Sequence, residues 1–182
     1  MTMCTSSFDE YEAERLAALH EYDILDTASE PMFEELVSLA ALIYQAPIAL
    51  LSFIDEQRQW FKARVGKMPA QLPREMALCN FVIQFKNEVV VTDTLSDDRF
   101  SSHPLVTVEP RIRFYASIPM TNSNGYAIGA LCVMDYQPRT THSWQLDALR
   151  LLNKQAMRQV EIRLNLLSMS ELIFNCSNIL TG

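Results

Sequence analysis

The sequence predicts an α+β domain, in which helices cover an antiparallel sheet. Two observations carry this prediction: two pairs of apolar, β-branched runs are each joined by a short turn, and helical spacing of apolar residues dominates both ends of the chain. Hairpins pair antiparallel, so the strands belong to one sheet with helices around it. The chain has 182 residues and is 49% hydrophobic, which is enough for one buried core.

Apolar residues spaced three or four apart predict the helices. The second of them begins at Pro31, a residue that suits the first helical turn because it needs no hydrogen-bond donor there. The last is a long helix with leucines along one side. The predicted helices cover residues 8–22, 31–44, 76–85 and 143 to beyond 164.

Shorter β-branched runs between the helices predict five strands. Residues 122–125 contain Asn and Gly and form the turn of the second hairpin. Residues 66–75, with two prolines, are predicted as a loop, and residues 93–109 as a long connection with short helical turns. The predicted strands cover residues 47–55, 58–65, 88–92, 112–121 and 126–136.

Composition excludes several chemistries. The four glycines are too few and too scattered for a phosphate-binding glycine loop, which removes the commonest nucleotide sites. The three histidines lie far apart and no two of the four cysteines form a CxxC pair, so we predict no metal site. Gly129 falls inside a predicted strand, where we expect a bend or the close approach of another backbone.

The net charge of −7 is unevenly distributed. Residues 1–35 hold ten of the 22 acidic residues and a single base, Arg15. The acidic total argues against nucleic acid as a partner, and we expect the acidic start to face basic groups of the same protein or of a second copy. Arg150, Lys154 and Arg158 form a basic stripe on the last helix, which we expect to pair with the acidic first helix.

Membrane insertion is not expected. The longest apolar run, residues 46–54, is interrupted by Ser52 and is far shorter than the roughly 20 residues that cross a bilayer. The scattered cysteines are typical of reduced thiols, so we expect a cytoplasmic location.

Several short motifs, in a fixed order, resemble one family. They are Glu14–Leu19, Tyr22–Thr27, Pro47–Asp55, Arg58–Ala63, Leu78-Cys79, Asp97–Phe100, Pro104–Val106, Ile112–Ala116, Gly129–Asp135 and Pro138-Arg139. This set resembles the GAF domains of bacterial signalling proteins, of the kind found ahead of histidine kinases and diguanylate cyclases. The resemblance divides the chain into an N-terminal extension (1–11), a GAF domain (12–165) and a C-terminal helical extension or linker (166–182).

The resemblance implies a non-catalytic sensory module that binds a small ligand. Similar domains have an antiparallel sheet of about six strands, with the N- and C-terminal helices on one face, often in a dimer bundle, and the ligand pocket on the other. A homodimer is also expected from the apolar tail, and an output module such as a histidine kinase or diguanylate cyclase is the expected partner. The apolar tail residues are Leu166, Leu167, Met169, Leu172 and Ile173.

The walls of the implied pocket are expected to come from strands, the short helix and the long connection. Neighbouring residues of a strand face opposite sides, so only one of each adjacent aromatic pair can face the pocket. No catalytic residue is assigned. The predicted ligand-binding residues are Ser52, Trp60, Cys79, Asp93, Phe100, Phe114 and Tyr115.

Two other functions stay open at this point. One is a thiol enzyme similar to the free methionine-sulfoxide reductases, with Cys79 and Cys132 as the thiols and Arg74 as the cation that lowers a thiol pKa. The other is a pure interaction protein whose pocket is filled with side chains.

The ligand itself is not identified by the sequence. The cyclic-nucleotide signature of phosphodiesterase GAF domains is absent, although Arg99 or Arg113 could meet a phosphate. A covalently bound chromophore is not expected, because His103 in the long connection has no cysteine beside it.

Overall fold

The computed structural model describes residues 5–180, with the side chains of residues 9–170, 172 and 173; Cys4 and the Cys176 side chain lie outside the described part. Within it the chain forms five α-helices and six strands, with single-turn 3-10 helices at Arg74–Met76 and Thr94–Ser96. The helices are α1 (Thr5–Glu21), α2 (Pro31–Tyr44), α3 (Leu78–Phe85), α4 (Pro104–Thr107) and α5 (Ser143–Leu180). The strands are β1 (Ile48–Ile54), β2 (Arg58–Val65), β3 (Gln71–Pro73), β4 (Val89–Val91), β5 (Phe114–Thr121) and β6 (Ala127–Asp135).

The strands form one antiparallel sheet in the order β3-β2-β1-β6-β5-β4. Both predicted hairpins are present, as β1–β2 and β5–β6. The two central strands, β1 and β6, are buried along their whole length, which explains their continuous apolar sequences. The predicted α+β class is therefore confirmed.

Helices cover both faces of the sheet. On one face α1, α2 and α5 pack over a core that includes Leu19, Phe53 and Phe114. On the other face α3, α4 and the connections pack over a second core that includes Leu50 and Tyr115. The N- and C-terminal helices thus lie on the same face, as the resemblance implies.

The sixth strand lies inside the segment that the sequence predicts as a loop. Gln71–Pro73 pairs antiparallel with residues 58–60 of β2 and forms one edge of the sheet. Only the middle residue, Leu72, is buried. Three residues ending in a proline are too few to show a strand period, and proline is tolerated here because the strand is at an edge.

Gly129 allows the two central strands to approach each other. A Cβ atom placed at Gly129 in β6 would lie 2.2 Å from the carbonyl oxygen of Ser52 on β1, far inside contact distance. The close backbone approach expected from the sequence is confirmed.

In the acidic N-terminal segment, Glu12, Asp26 and Glu30 pair with bases of the same chain, one of the two arrangements expected from the sequence. Its carboxylates pair with basic residues of β2, of the 3-10 turn before α3, and of α5. These ion pairs are Glu12–Arg74 (2.6 Å), Asp26–Arg58 (2.6 Å), Glu30–Lys62 (2.6 Å) and Glu30–Arg163 (3.2 Å).

The predicted pairing of the basic stripe with the first helix is wrong. Arg150 pairs instead with Glu88, just before β4, at 2.5 Å and with Asp147 of its own helix at 2.6 Å. Lys154 and Arg158 border a groove between α2 and α5. The physical reason is placement: α1 packs against β6, whereas α5 packs on α2, β5 and β6.

Candidate functional site

Four of the seven predicted site residues lie together beneath α3. Ser52 of β1, Cys79 of α3, Tyr115 of β5 and Phe100 of the long connection are all buried. The Tyr115 hydroxyl donates a hydrogen bond to Cys79 Sγ at 3.2 Å, and the Tyr115 ring centroid lies 5.8 Å from that of Phe100. These four residues therefore share the face that the resemblance assigns to the ligand.

Trp60 and Phe114 lie on the opposite face, contrary to the prediction. The Trp60 ring packs 6.3 Å from Phe53, and the Phe114 ring packs 6.0 Å from Tyr44 of α2. Both belong to the core beneath the terminal helices. Because side chains alternate along a strand, the residues that follow them, Phe61 and Tyr115, face α3 instead.

Asp93 lies apart from the other predicted residues, at the end of β4. Its carboxylate accepts hydrogen bonds from the Leu95 backbone N–H at 3.1 Å and from the Ser96 hydroxyl at 3.3 Å, and so it caps the 3-10 turn. It also borders a shallow groove with Arg139. The structure accounts for Asp93 by this capping role, and ligand binding by the seven residues stays a prediction.

Gln59 completes the buried polar cluster and was missed by sequence reasoning. Its Nε2 donates to Ser52 Oγ at 2.8 Å, and Ser52 Oγ donates in turn to the Ala130 carbonyl at 3.4 Å. Gln59 also hydrogen-bonds to Cys79. The available signal was its spacing: Gln59 is two residues before Phe61, which faces α3.

The two described cysteines are free and buried side by side. The hydrogen bond from Cys132 lowers the pKa of the Cys79 thiol, although burial opposes this, and the same contact raises the pKa of Cys132. Arg74, expected from the sequence to act on Cys79, instead donates to Glu12 at 2.6 Å and to the Asp55 carbonyl at 3.2 Å. The thiols therefore interact with each other and with Tyr115.

An open cleft of about 790 Å³ lies next to this cluster, at the end of the sheet where β2 and β6 end and β5 begins. Its apolar wall is formed by Met68, Leu72, Met76 and Leu105, and Tyr136 adds an aromatic ring. Leu72 and Leu105 also belong to the core beneath α3, so the cleft borders the buried residues. Its volume is typical of a small-molecule site.

Three cations and one carboxylate line the same cleft: Lys67, Arg111, Arg113 and Glu109. Arg111 and Glu109 form an exposed ion pair of 3.2 Å. Nη1 of Arg113 donates to two backbone carbonyls at 2.9 Å each, which fixes the guanidinium in the wall. Sequence reasoning considered Arg113 for phosphate but missed Lys67 and Arg111, because only the fold brings their separate loops together.

A glycine turn positions one side of the cleft. Gly66 has a φ of +96°, and a Cβ atom there would lie 2.4 Å from the Pro47 carbonyl oxygen. Only glycine fits this backbone. The tight turn at the end of β2 brings Lys67 and Met68 to the cleft.

The described part of the chain holds neither a metal cluster nor a membrane-spanning helix. Among the described side chains (residues 9–170, 172 and 173), no group of three His, Cys, Asp or Glu is arranged to hold a metal ion. None of the helices in that range combines the length and the apolar character that crossing a bilayer requires.

A six-stranded antiparallel sheet, with terminal helices on one face and short helices beside a cleft on the other, defines a class of small α+β regulatory domains. The family model described as "GAF domain" matches residues 22–164. The chain belongs to the GAF family, and the resemblance seen in its motifs is confirmed.

A relative from Pseudomonas aeruginosa shows the bacterial signalling context of this GAF domain. A cyclic di-GMP phosphodiesterase of that organism is 40% identical over 137 residues, which make up 75% of this chain and 23% of that protein. The chain therefore matches less than a quarter of the length of this relative.

Solved structures support the fold. The GAF domain of Thermosynechococcus elongatus PixJ, in its blue-light absorbing form, has a TM-score of 0.62 at 16% identity, over 91% of this chain and 95% of that one. The type II free methionine-R-sulfoxide reductase of Thermoplasma acidophilum has a TM-score of 0.53 at 13% identity, over 71% and 94%. At such identities the likeness concerns the fold alone.

Proposed function

We propose that this chain is a non-catalytic regulatory GAF module, which binds a small ligand and passes the signal through a homodimer of its terminal helices. The observation that carries this proposal is an exposed apolar surface on α2 and α5, which continues along α5 beyond the sheet. Membership of the GAF family supports the regulatory role.

The apolar surface lies on the sides of α2 and α5 that face away from the sheet. Leu42 of α2 is 71% exposed and Leu151 of α5 is 69% exposed. Two grooves run between the helices, one bordered by Leu151 and the other by Met32 and Leu166. Single exposed leucines are common, but several exposed apolar side chains grouped on two neighbouring helices are typical of an interface.

The end of α5 supports a second copy of the chain as the partner. This helix has 38 residues, which correspond to about 57 Å. Ile162, Leu166 and Met169 are exposed and are spaced four and three residues apart, the spacing of a coiled-coil seam. A two-fold dimer matches one such stripe with the identical stripe of its partner.

The buried thiols support a non-catalytic role over the methionine-sulfoxide reductase alternative. A nucleophilic cysteine must meet its substrate, yet Cys79 and Cys132 are 1% and 0% exposed. The lowered pKa of Cys79 arises from its buried neighbours, with Cys132 first among them. A thiol enzyme on this chain would need α3 to open before each turnover.

The relative from Pseudomonas aeruginosa supports an output module that acts on cyclic di-GMP, because its name is that of a cyclic di-GMP phosphodiesterase. Such an output module joins the histidine kinase and diguanylate cyclase suggested by the motifs as a partner of this module. A cytoplasmic location, where those partners act, is part of the same proposal.

The dimer is tested by light scattering at high micromolar concentration. We expect the wild type to have twice the mass of one chain and a Leu166→Glu/Met169→Glu variant to have the mass of one chain, since the variant buries four carboxylates in the seam of a dimer. Leu95→Glu is the matched control, because Leu95 is an exposed leucine outside this surface. It is expected to stay dimeric.

A monomeric wild type would reject signalling through the dimer. If the Leu166→Glu/Met169→Glu variant stayed dimeric, the dimer interface would have to lie away from the end of α5. Circular dichroism of all three proteins ensures that a change of mass is not caused by unfolding.

A further inference from the structure

We propose that the open cleft, rather than the interior beneath α3, is the ligand site, and that it takes a small anion with a flat apolar body. This inference rests on the ligand-binding part of the proposed function and is independent of the dimer. It moves the site away from the interior residues that the sequence predicts.

The interior beneath α3 offers little room, because four of its polar side chains already bind one another, although the buried Ser117 hydroxyl has no partner in the described part of the chain. Tyr115 donates to Cys79, Gln59 donates to Ser52, and Ser52 donates to a backbone carbonyl. The ring of Phe100 packs against Tyr115 at 5.8 Å and against Phe81 at 5.3 Å. A ligand there would have to displace both the aromatic contacts and the hydrogen bonds.

The cleft has both the size and the surface for a ligand. Its volume of about 790 Å³ suits a molecule with one to three rings. The side chains of Met68, Leu72, Met76 and Leu105 give it an apolar wall, and Tyr136 can stack on a flat ring. Methionine adapts its shape to an apolar partner, which suits a binding wall.

The charges of the cleft select an anion. Lys67, Arg111 and Arg113 outnumber Glu109, the single carboxylate among the residues that line the cleft. Nη1 of Arg113 is held by two carbonyls, whereas its Nε and Nη2 have no hydrogen-bond partner in the described part of the chain. A carboxylate, sulfonate or phosphate accepts from such a planar group in a bidentate manner.

The anion-binding side chains are held by parts of the fold that are already ordered. Gly66 fixes the turn that presents Lys67, and its φ of +96° excludes other residues. The Ile112 N–H bonds to the Leu105 carbonyl at 2.8 Å, which ties the arginine segment to α4. A site assembled before binding loses less conformational entropy when the ligand arrives.

The test uses two fluorescent probes that differ by one sulfonate group. Anilinonaphthalene sulfonate carries an aromatic body and an anion, and N-phenylnaphthylamine is the same body without the sulfonate. We expect the sulfonate to bind the wild type at least about tenfold more tightly, a difference of about 1.4 kcal/mol. Inorganic phosphate is expected to compete with the sulfonate and not with the amine.

Substitutions of cleft residues test whether the sulfonate binds in the cleft. Lys67→Glu and Arg111→Glu are each expected to weaken sulfonate binding about tenfold and to leave amine binding unchanged. Arg64→Glu is the matched control, because Arg64 is an exposed cation on β2 outside the cleft lining, and it is expected to change neither affinity. Both cleft positions are exposed, so these variants are expected to fold, and melting curves check this.

Equal affinity of the wild type for both probes would overturn the anion preference. The placement of the site in the cleft would be overturned if both cleft variants kept the wild-type sulfonate affinity, or if the control substitution reduced it equally. The mass of each protein is measured on the same samples, so that loss of the dimer is distinguished from loss of the site.

Discussion

Gly129 is the residue at which the two central strands lie too close together for any side chain. A Cβ atom at this position would lie 2.2 Å from the Ser52 carbonyl oxygen and 3.2 Å from the Phe53 ring. We expect Gly129→Ala to lower the free energy of unfolding by about 1–3 kcal/mol, because β1 or β6 must shift within a packed core. Urea unfolding followed by circular dichroism measures the loss.

Gly125 provides the control for Gly129. It lies in the β5–β6 turn with a φ of +85°, and a Cβ atom there meets nothing within 4 Å. Asparagine tolerates this backbone conformation, so Gly125→Asn is expected to cost less than about 1 kcal/mol. A Gly129→Ala protein as stable as Gly125→Asn would show that the strands separate without strain.

Residue identity predicted the close approach at Gly129 but not which face each aromatic side chain occupies. Alternation shows that Trp60 and Phe61 point to opposite sides, yet it does not say which side carries the terminal helices. The pairing of β1 with β2 also shifts register next to Ser52, which changes the phase locally. Cys79 and Tyr115 lie on the expected face, whereas placing Trp60 needed information from the folded sheet.

The helix α1 makes polar contacts with the start of β6 and with the 3-10 turn before α3, through side chains of its N-terminal half. The Tyr11 hydroxyl accepts from the Ala127 N–H at 3.2 Å, and Glu14 accepts from the Tyr126 hydroxyl at 2.9 Å. Glu12 binds Arg74 at 2.6 Å, in the 3-10 turn that precedes α3. A helix from one face is thus tied to an element of the other.

Glu12 is the carboxylate on which this connection depends. It accepts from Nε and Nη2 of Arg15, a fully buried cation, at 2.9 and 2.7 Å. Glu12→Gln is expected to cost about 2 kcal/mol at neutral pH, because it leaves Arg15 buried without its counter-charge. Glu14→Gln is the control on the same helix, and its exposed contact predicts a loss below about 0.5 kcal/mol.

The contribution of Glu12 depends on pH with a defined sign. Burial acts to raise its pKa, but hydrogen bonds from Arg15 and Arg74 outweigh burial and hold the pKa below 4.5. Because the folded pKa is depressed, the stabilisation is present above pH 4.5 and is lost as the pH falls through the folded value. The difference between wild type and Glu12→Gln is expected to shrink accordingly, and a pH-independent difference would contradict this.

At the scale of elements, most helices and strands were predictable because their apolar periods are long. The strand Gln71–Pro73 was not predictable, since three residues are too few to show a period. Its pairing with β2 depends on the tertiary structure. The partner of Arg150 was also not predictable. The distance between Arg150 and Glu88 depends on the angle at which α5 crosses the sheet. The charge pattern of one helix does not predict that angle.

At the scale of the whole molecule, part of the charge asymmetry of the sequence is balanced inside the chain. Carboxylates of the acidic N-terminal segment bind four bases of the same chain, Arg58, Lys62, Arg74 and Arg163. Lys62 is buried, and its ammonium group lies 5.3 Å from the Phe33 ring centroid while it binds Glu30. The surface proposed for the dimer lies on α2 and α5, where exposed apolar side chains are bordered by Lys154, Arg158 and Arg163.

The cleft and the dimer surface are joined by a short chain of contacts. Met76 lines the cleft, and Arg74 lies in the same 3-10 turn. Arg74 binds Glu12 of α1, and α1 packs over the same core as α2 and α5. We therefore expect a ligand that shifts this turn to act on the helical face, and coupling between two sites must be reciprocal.

This coupling yields a quantitative prediction. The affinity for anilinonaphthalene sulfonate is expected to differ at least about fivefold between the wild-type dimer and the Leu166→Glu/Met169→Glu monomer. If the dimer binds the probe more tightly, the probe must lower the dimer dissociation constant, and if the monomer does, the probe must raise it. Glu12→Gln, which cuts the contact between α1 and the turn, is expected to reduce this factor while both sites still bind. Fluorescence titration and sedimentation on the same proteins measure both quantities. The coupling would be contradicted if monomer and dimer bound the probe with equal affinity and the probe left the dimer dissociation constant unchanged. The two sites would then act independently, and the helices would carry no signal from the cleft.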